Sequence, residues 1–460
     1  MSLPCLKPKR EGQFGLSSLS KYTKSFALED GRAVLYHALT GAIDIVDVDL
    51  LSGEFDLDDA VNSELQAFLL ERGYLVDNPE SDEKRFNALY SSYTKHKEEV
   101  RPLIFQLVLT YNCNLGCEYC FQNSVKELKR SLKPAEVEHL FSAIEEIRSF
   151  HPKTRTKPVI ALFGGEPLLG RNVSLVRRIY EEVAKRGWVN GPIISNGVAL
   201  DKFLPLFKEY RPSGIQMTID GPEQIHNERR DFHGGGGTFK KIVENIDLAL
   251  DAGLKIGIRS NIDEVTVESI SDLVPLARSH GWLNNKNVEL NIAPIHERAC
   301  GSSSENKIHD VILKRLLELT LEYPELRNWH LDGWPVVNYF SRMLDDDRAV
   351  LPRFDHCEAI VGKTFYLDPY GDIYTCIEAC GMREYAVGQY MPSVEFNQLF
   401  DRFLGRNVKT MESCSSCGFS MMCGGGCALS SMLDGHELEA PHCANTDSDM
   451  KQYVEFRFKE

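Results

Sequence analysis

Cysteine is the residue whose spacing carries the most chemical information in this chain. The chain has 13 cysteines. Three lie between residues 113 and 120, eight lie between residues 357 and 443, and only Cys5 and Cys300 fall outside these groups. In a long chain without a secretion signal, cysteines at short spacings bind metal more often than they form disulfides. Both groups are therefore predicted to be metal-binding loops.

The first group is Cys113-x3-Cys117-x2-Cys120, directly after a predicted strand. Three thiolates on a loop that Gly116 allows to turn can bind three irons of a [4Fe–4S] cubane and leave the fourth iron open. Zinc is the alternative, but structural zinc takes four protein ligands, and no Cys or His follows close behind Cys120. The spacing favours an iron–sulfur cluster.

The elements that must position these residues alternate along the middle of the chain. The hydrophobic pattern predicts six strand–helix units, which imply a parallel sheet in a partial barrel or a doubly wound fold. In both folds the chemistry lies at the carboxyl ends of the strands. The predicted strands are 103–109, 159–163, 193–194, 215–219, 255–258 and 288–292, and the predicted helices are 134–149, 172–186, 200–208, 238–252, 267–280 and 308–322.

The flanking regions differ from this pattern. Residues 1–100 are predicted to form a small winged-helix-like α+β module, or alternatively an extension packed on the main domain. After residue 325 a bridging region leads into a Cys- and Gly-rich C-terminal part with little helical periodicity. Within the N-terminal module we expect strands at 33–39 and 43–48, a helix at 56–72 and a polar loop at 77–84.

The first cysteine group resembles the hallmark of the radical S-adenosylmethionine (SAM) enzymes, whose motif follows the first strand of a partial (β/α)6 TIM-like barrel. The aromatic before its last cysteine is Tyr119, which the resemblance places against the adenine; a core tyrosine is the alternative. The second strand ends in Gly164-Gly165-Glu166-Pro167, which matches the family's Gly-Gly-Glu-Pro. The glycines would let the backbone approach SAM, and Glu166 would bind its ammonium group.

Weaker matches lie at the ends of the third, fourth and fifth strands, where the family places polar groups that contact SAM. Arg259 and Asn261 would meet the SAM carboxylate and ribose, although a buried salt bridge is the alternative for Arg259 and Asp220. The segment 225–229 also resembles the family, without readable roles. The matching residues are Ser195, Asn196, Asp220, Arg259 and Asn261.

The second cysteine group is similar to the seven-cysteine SPASM extension of radical SAM enzymes, which binds two auxiliary [4Fe–4S] clusters. The resemblance assigns a distal cluster to Cys414, Cys417, Cys423 and Cys443, and a proximal cluster to Cys357, Cys376 and Cys427. Two fully protein-bound clusters need eight ligands and the motif supplies seven. The eighth is Cys380, Asp355 or His356, or else the iron is open to substrate.

The resemblance implies reductive cleavage of SAM to a 5′-deoxyadenosyl radical, which abstracts hydrogen from a substrate. We favour a ribosomally made precursor peptide that receives a thioether or carbon–carbon cross-link, with residues 1–100 binding its leader. A reductase such as flavodoxin or ferredoxin would supply the electron. Anaerobic sulfatase maturation loses support because Ile377 replaces the Asp that such enzymes place there. Small-molecule dehydrogenation and a non-catalytic iron–sulfur electron carrier are the remaining alternatives.

Composition limits the other possibilities. The 460 residues suggest about three domains, and we expect boundaries of 1–100, 101–325 for the barrel and 326–460 for the bridge and SPASM region. A formal net charge of −15 argues against nucleic acid as a partner. The sequence has no apolar run long enough for a membrane span and no signal peptide. We therefore expect a cytoplasmic protein.

The ligand count makes a prediction about metal content. Ten cysteines in three cluster-binding sets should retain about 12 irons and negligible zinc after anaerobic reconstitution. Metal analysis of the purified protein checks this, and one equivalent of zinc beside about four irons would contradict the C-terminal assignment.

Overall fold

A computed structural model describes residues 18–47, 60–295, 305–345, 352–443 and 446–458. Cys5, Cys300 and the predicted start of the helix at 56–59 lie outside these ranges. No helix among the described residues is long and apolar enough to cross a membrane.

The N-terminal part contains a three-stranded antiparallel sheet in the order β2-β3-β4, a short β1-β5 pair and two helices. The predicted strands are found within a residue or so of their expected positions, but the polar segment predicted as a loop at 77–84 begins a helix at Glu80. Its first turn carries Glu80, Asp82 and Glu83, and acidic side chains stabilise a helix N-terminus. The elements are β1 Ser18–Leu19, β2 Thr23–Ala27, β3 Arg32–His37, β4 Ala42–Asp47, α1 Ala60–Arg72, β5 Leu75–Val76 and α2 Glu80–Glu99.

The middle of the chain forms a parallel sheet whose strands follow one another in sequence order from β6 to β12. All six predicted strand–helix units are present, so the predicted partial barrel is supported. The elements are β6 Ile104–Val108, α3 Val137–Ser149, β7 Val159–Phe163, α4 Val173–Arg186, β8 Val189–Ile194, α5 Leu204–Glu209, β9 Ile215–Thr218, α6 Glu223–Arg229, α7 Phe239–Asp251, β10 Ile256–Ile262, α8 Leu273–Ser279, β11 Val288–Pro294, α9 Glu305–Glu322, β12 His330–Leu331 and α10 Pro335–Asp345.

The C-terminal part continues the same sheet from its first barrel strand. Strand β13 pairs in parallel with β6, and β14, β15 and β16 follow antiparallel. This part is more helical than predicted, because α12, α13 and α14 are too short to show a periodic pattern. The elements are β13 Thr364–Leu367, β14 Asp372–Tyr374, β15 Gly388–Gln389, β16 Glu395–Phe396, α11 Gln398–Gly405, α12 Glu412–Ser415, α13 Ser420–Cys423, α14 Ala428–Leu433 and α15 Thr446–Phe458.

The barrel helices are amphipathic, which fixes their position on the sheet. In α4 the residues Leu175, Val176, Ile179, Tyr180 and Val183 are buried, at the three- and four-residue spacing that places them on one face. The central strands carry almost continuous apolar runs because helices and barrel interior cover both of their faces. Short 3-10 turns connect several elements, at Phe121–Val125, Pro134–Glu136, Gly170–Asn172, Leu200–Phe203, Val267–Ile270, Pro324–Asn328, Glu358–Ile360 and Arg383–Tyr385.

Helix α2 belongs to the N-terminal part and packs against the C-terminal part. Tyr93 and Lys97 both donate to the buried carboxylate of Asp355, over 2.7 and 2.8 Å. The rings of Phe86 and Tyr93 also pack against Phe354. Residues from all three predicted domains belong to one continuous hydrophobic core, so the predicted boundaries do not separate independent cores.

This interface predicts unequal effects for two lysine substitutions. Lys97→Met leaves the Asp355 carboxylate, whose side chain is 2% exposed, without its cation and should reduce the free energy of unfolding by about 3 kcal/mol. The matched control is Lys153→Met, because Lys153 pairs with Glu98 of the same helix at an exposed position and should change stability by less than about 1 kcal/mol. Urea unfolding measures both, and equal losses would contradict the interpretation.

Candidate functional site

The first three cysteines lie together on the loop that follows β6. Burial raises the pKa of Cys113 to about 12, and the neighbouring Glu166, Cys117 and Cys120 add to the shift. Burial also raises the pKa of Cys117 and Cys120. Such thiols become thiolates only beside positive charge, which iron supplies. Two donors already point at the Cys113 sulfur, the amide of Leu115 at 3.4 Å and Nδ2 of Asn196 at 3.7 Å.

The glycines of the Gly-Gly-Glu-Pro segment allow two backbones to touch. Gly165 N donates to Thr110 O over 2.7 Å, and Glu166 N donates to Asn112 O over 2.9 Å. A Cβ on Gly164 would lie 2.4 Å from Thr110 O, and one on Gly165 would lie 2.5 Å from Asn112 O. The structure thus gives these glycines a different reason from the predicted approach to SAM, because they make room for the strand that leads into the cysteine loop.

Glu166 is the buried anchor of the site. Its carboxylate accepts hydrogen bonds from Leu168 N at 2.7 Å, Ser195 Oγ at 2.7 Å and Asn196 N at 2.6 Å. Burial raises its pKa, while these donors and the charge of Arg230 oppose that shift. Ser195 and Asn196 thus connect the end of β8 to the end of β7, and the Asn196 side chain reaches on to the cysteine loop through Asn114 at 2.8 Å.

Tyr119 and Asp220 meet in a polar network beside the cysteines. The Tyr119 hydroxyl donates to Asp220 Oδ2 through a short hydrogen bond and accepts from Arg230 Nη1 at 2.6 Å. Asp220 Oδ1 accepts from the backbone amide of Asn261 at 2.9 Å. The guanidinium of Arg229 lies 5.0 Å from the centre of the Tyr119 ring. The tyrosine is therefore held by polar partners and a cation.

Arg230 is the site residue that the sequence interpretation missed. Its residue surface is 7% exposed, its charge interacts with Cys117, Asp220 and Tyr119, and its Nε has no hydrogen-bond partner in the structure. A buried guanidinium with a free donor is suited to an anion such as a carboxylate. The sequence could have indicated Arg230, because this residue directly follows the 225–229 segment that resembles the family.

Arg259 lies differently from its predicted role. Its Nε donates to Asn261 Oδ1 at 2.9 Å, and its Nη1 lies 3.3 Å from the carboxylate of Asp332. The two side chains are 26% and 41% exposed, so this ion pair is not the buried salt bridge that the sequence left as the alternative, and the SAM contact of Arg259 stays a prediction. Arg230 is nearer to the cysteine loop, because it contacts Tyr119 directly.

The four cysteines predicted to form the distal set come together in space. The pKa of Cys414 is raised to about 11, by burial and then by Cys423, Cys417 and Cys443. Cys423 interacts in turn with Cys443 and Cys417. The helical turns α12 and α13 bring Cys414, Cys417 and Cys423 close, and the segment before α15 adds Cys443.

The three cysteines predicted to form the proximal set are also neighbours. Cys376 interacts with Cys427 and Cys357, and burial raises its pKa. Cys427 lies at the start of α14, where its sulfur accepts from Ser430 N at 3.4 Å. The two groups of neighbouring cysteines therefore have the same members as the two predicted sets.

Of the three candidates for an eighth ligand, Cys380 is the one that lies beside a cysteine of the proximal set, because its thiol interacts with Cys376. Cys380 is buried beside Tyr111 and Val125, and its thiol donates to Cys376 O at 3.4 Å. Asp355 is occupied by Tyr93 and Lys97. His356 Nδ1 lies 2.7 Å from Cys423 O, so its ring faces the distal side.

The three cysteine sets fit clusters better than single ions. No group of three or more Cys, His, Asp or Glu in the described ranges is gathered closely enough to hold one metal ion. Zinc–sulfur bonds of about 2.3 Å would require such a tight group. A cubane holds its thiolates further apart than a single zinc ion does. This spacing suits the three cysteine sets, whose members are neighbours but do not form such a tight group.

Comparison with known proteins identifies the domain. A family model for the Radical SAM superfamily matches residues 107–278, which contain the first cysteine group and the Gly-Gly-Glu-Pro segment. The radical SAM cyclopropyl synthase TigE of Paramaledivibacter caminithermalis is 21% identical over 450 residues, covering 89% of each chain. A cysteine-type anaerobic sulfatase-maturating enzyme of Clostridium perfringens is 23% identical over 332 residues, covering 68% of this chain and 85% of the relative.

Two solved structures share the fold. The native enzyme anSMEcpe with bound AdoMet and the Cp18Cys peptide superimposes with a TM-score of 0.60 at 17% identity, covering 78% of this chain and 98% of that one. Streptococcus suis SuiB bound to the precursor peptide SuiA gives a TM-score of 0.51 at 14% identity, covering 93% and 99%. The chain therefore contains a radical SAM domain, and its relatives include peptide-modifying and anaerobic sulfatase-maturating radical SAM enzymes.

Proposed function

We propose that this protein is a SPASM-type radical SAM enzyme that modifies a ribosomally made peptide, forming a thioether or carbon–carbon cross-link. The observation that carries the radical SAM part is the hydrogen-bonded unit of Cys113, Asn196 and Glu166. It joins the cysteine loop to the ends of two further barrel strands. An iron–sulfur electron carrier needs no such extended polar site.

The residues fit a [4Fe–4S] cluster held by Cys113, Cys117 and Cys120 and a SAM molecule bound beside it. Bound together, these groups supply a 5′-deoxyadenosyl radical that abstracts hydrogen from carbon. Glu166 has one lone-pair position beyond its three internal donors and would accept from the SAM ammonium group. Arg230 offers its free Nε to the SAM carboxylate, and the Tyr119–Asp220 network would form the wall beside the adenosine.

The C-terminal cysteines would hold two auxiliary clusters, distal and proximal. If the three thiolates are its only protein ligands, the proximal cluster would have an iron open to a substrate thiolate. That arrangement would suit chemistry on a Cys-containing peptide. Cys380, whose thiol interacts with Cys376, is the alternative fourth ligand.

Relatives support a peptide substrate. SuiB covers nearly the whole chain and binds a precursor peptide, and TigE matches over the same extent. Sulfatase maturation is the second candidate, supported by the matches to such enzymes. It is the weaker one because Ile377 cannot act as the base that a carboxylate would provide.

The N-terminal sheet would receive the leader of the peptide. Its two edge strands are β2 and β4. On β2, Phe26 and Lys24 pack on Phe419 of the C-terminal part, which leaves less room for a peptide beside this strand. On β4, Ile45 is 41% exposed. An extended peptide could add to this edge by main-chain hydrogen bonds and cover Ile45.

Loss of the first cysteine group should abolish SAM cleavage. We expect the Cys113→Ala, Cys117→Ala, Cys120→Ala triple variant to form no 5′-deoxyadenosine under dithionite, because no iron remains to deliver the electron to SAM. It should still retain about eight of the 12 irons, in its auxiliary clusters. Chromatography of the reaction products and iron analysis check both points, and persistent 5′-deoxyadenosine would overturn the radical SAM assignment.

Leader binding should depend on the β4 edge. Ile45→Lys should weaken binding of the precursor peptide by about tenfold, because an apolar contact of roughly 1.5 kcal/mol is lost. The matched control is Leu19→Lys on β1, which is 53% exposed and lies away from β4. Fluorescence anisotropy measures binding, and both variants should keep uncoupled SAM cleavage. Equal binding by the two variants would contradict this role of β4.

A further inference from the structure

A fully buried arginine lies between the two C-terminal cysteine sets. Arg406, directly after α11, is 0% exposed. Its guanidinium donates four hydrogen bonds to backbone carbonyls, from Nε to Leu438 O at 2.7 Å, from Nη1 to Gly426 O at 2.7 Å, and from Nη2 to Gly425 O at 2.9 Å and Ala440 O at 3.0 Å. Every bond from this side chain is to a main-chain oxygen.

Those carbonyls belong to two segments that carry cluster cysteines. Gly425 and Gly426 lie between Cys423 of the distal set and Cys427 of the proximal set, while Leu438 and Ala440 lead to Cys443. Arg406 therefore ties the 423–427 segment to the 438–443 segment. Its backbone neighbour Val408 donates to Phe354 O at 3.1 Å, which brings in the segment before Cys357.

The two segments cross closely, and His442 N also donates directly to Gly425 O at 3.2 Å. Gly424, Gly425 and Gly426 all have positive φ, of 70°, 90° and 76°, where residues with a Cβ are strained. A Cβ on Gly426 would lie 1.7 Å from His442 O. A loop of consecutive glycines has a high conformational entropy when free, so a fixed partner is needed to order it. The planar guanidinium of Arg406 is one such partner, because its four hydrogen bonds reach both segments.

The charge of Arg406 acts on the nearby carboxylate of Glu439, whose pKa it helps to lower, but forms no ion pair with it. Among the described residues it makes no salt bridge with Asp or Glu, and the exposed Glu439 nearby is bound by Arg402 instead. The acidic groups that act most strongly on its charge are Cys427, Cys357, Cys414 and Cys423, two from each set. A buried guanidinium without a counterion is costly, and thiolates bound to iron would provide the negative charge.

We propose that Arg406 is a positioning residue shared by the two auxiliary clusters. Its planar guanidinium orders both cysteine segments, and its charge raises the reduction potential of both clusters. The inference rests on the proposed pair of auxiliary clusters. Net charge and hydrogen bonding around a cluster set its potential. A cation between two clusters makes each easier to reduce and so favours them as acceptors of an electron.

Two substitutions separate the effect of the planar hydrogen-bonding guanidinium of Arg406 from the effect of its positive charge. Arg406→Gln removes the charge, and Arg406→Lys keeps it while losing the planar fork. The matched control is Arg402→Gln, because Arg402 is an exposed residue of α11 that pairs with Glu437 and Glu439 of the same 437–440 stretch. All are made in the Cys113→Ala, Cys117→Ala, Cys120→Ala background, so that only the auxiliary clusters contribute to the signal.

Potentiometric titration followed by electron paramagnetic resonance measures the potentials, and iron release to a chelator measures retention. We expect Arg406→Gln to shift both auxiliary potentials to more negative values and Arg402→Gln to leave them unchanged. Arg406→Lys should keep the potentials but release auxiliary iron about tenfold faster, which corresponds to the loss of one charge-assisted hydrogen bond.

The possible results distinguish failure of the role proposed for Arg406 from failure of the proposed function. If the parent protein binds no iron in its C-terminal part, the auxiliary clusters themselves are absent. If the parent binds them and Arg406→Gln shows the potentials of Arg402→Gln, the electrostatic role is overturned. Should Arg406→Gln fail to hold iron, Arg406→Lys decides, because retention equal to that of the parent would overturn the positioning role.

Discussion

The contact between the backbones of residues 110–112 and 164–166 is the constraint on which the rest of the site depends. Two main-chain hydrogen bonds cross it, and glycine is required because any Cβ there would meet a carbonyl oxygen. The contact fixes the start of the cysteine loop relative to Glu166. Glu166 then holds Ser195 and Asn196, and Asn196 returns to Cys113. The loop is positioned by hydrogen bonds across three neighbouring strands.

The buried carboxylates and the buried arginines near the cysteines differ in the partners that they have. Glu166 and Asp220 are buried carboxylates satisfied by amides, hydroxyls and arginine, which offsets the cost of removing them from water. Arg230 is buried with one donor free, beside the cysteine loop. Arg406 is buried among carbonyls without a carboxylate. Both arginines, like the buried Arg353, therefore lie where their charge acts on predicted cluster cysteines.

The N-terminal module bears on how substrate would reach this chemistry. It packs on the same C-terminal part that carries the distal cysteines, through Phe26 and Phe419 and through the buried Asp355. Its other edge strand is β4, which pairs with no further strand among the described residues. A leader held there would be fixed in relation to the clusters, because the module shares one hydrophobic core with the barrel. This geometry agrees better with a peptide substrate than with a small molecule.

The sequence by itself determined the chemistry and most of the barrel, because cysteine spacing, glycine position and apolar periodicity are local properties. The six strands, the three cysteines after β6 and the Gly-Gly-Glu-Pro segment at the end of β7 were all readable. The helix at Glu80 was missed because its polar first turn resembles a loop, and Arg230 lacked any local sign of burial. Only the tertiary structure decided that Arg259 pairs with Asp332, that Cys380 lies beside Tyr111, and that Arg406 lies between two cysteine sets. Each of these depends on segments far apart in sequence meeting in space, and residue spacing along the chain does not record such meetings.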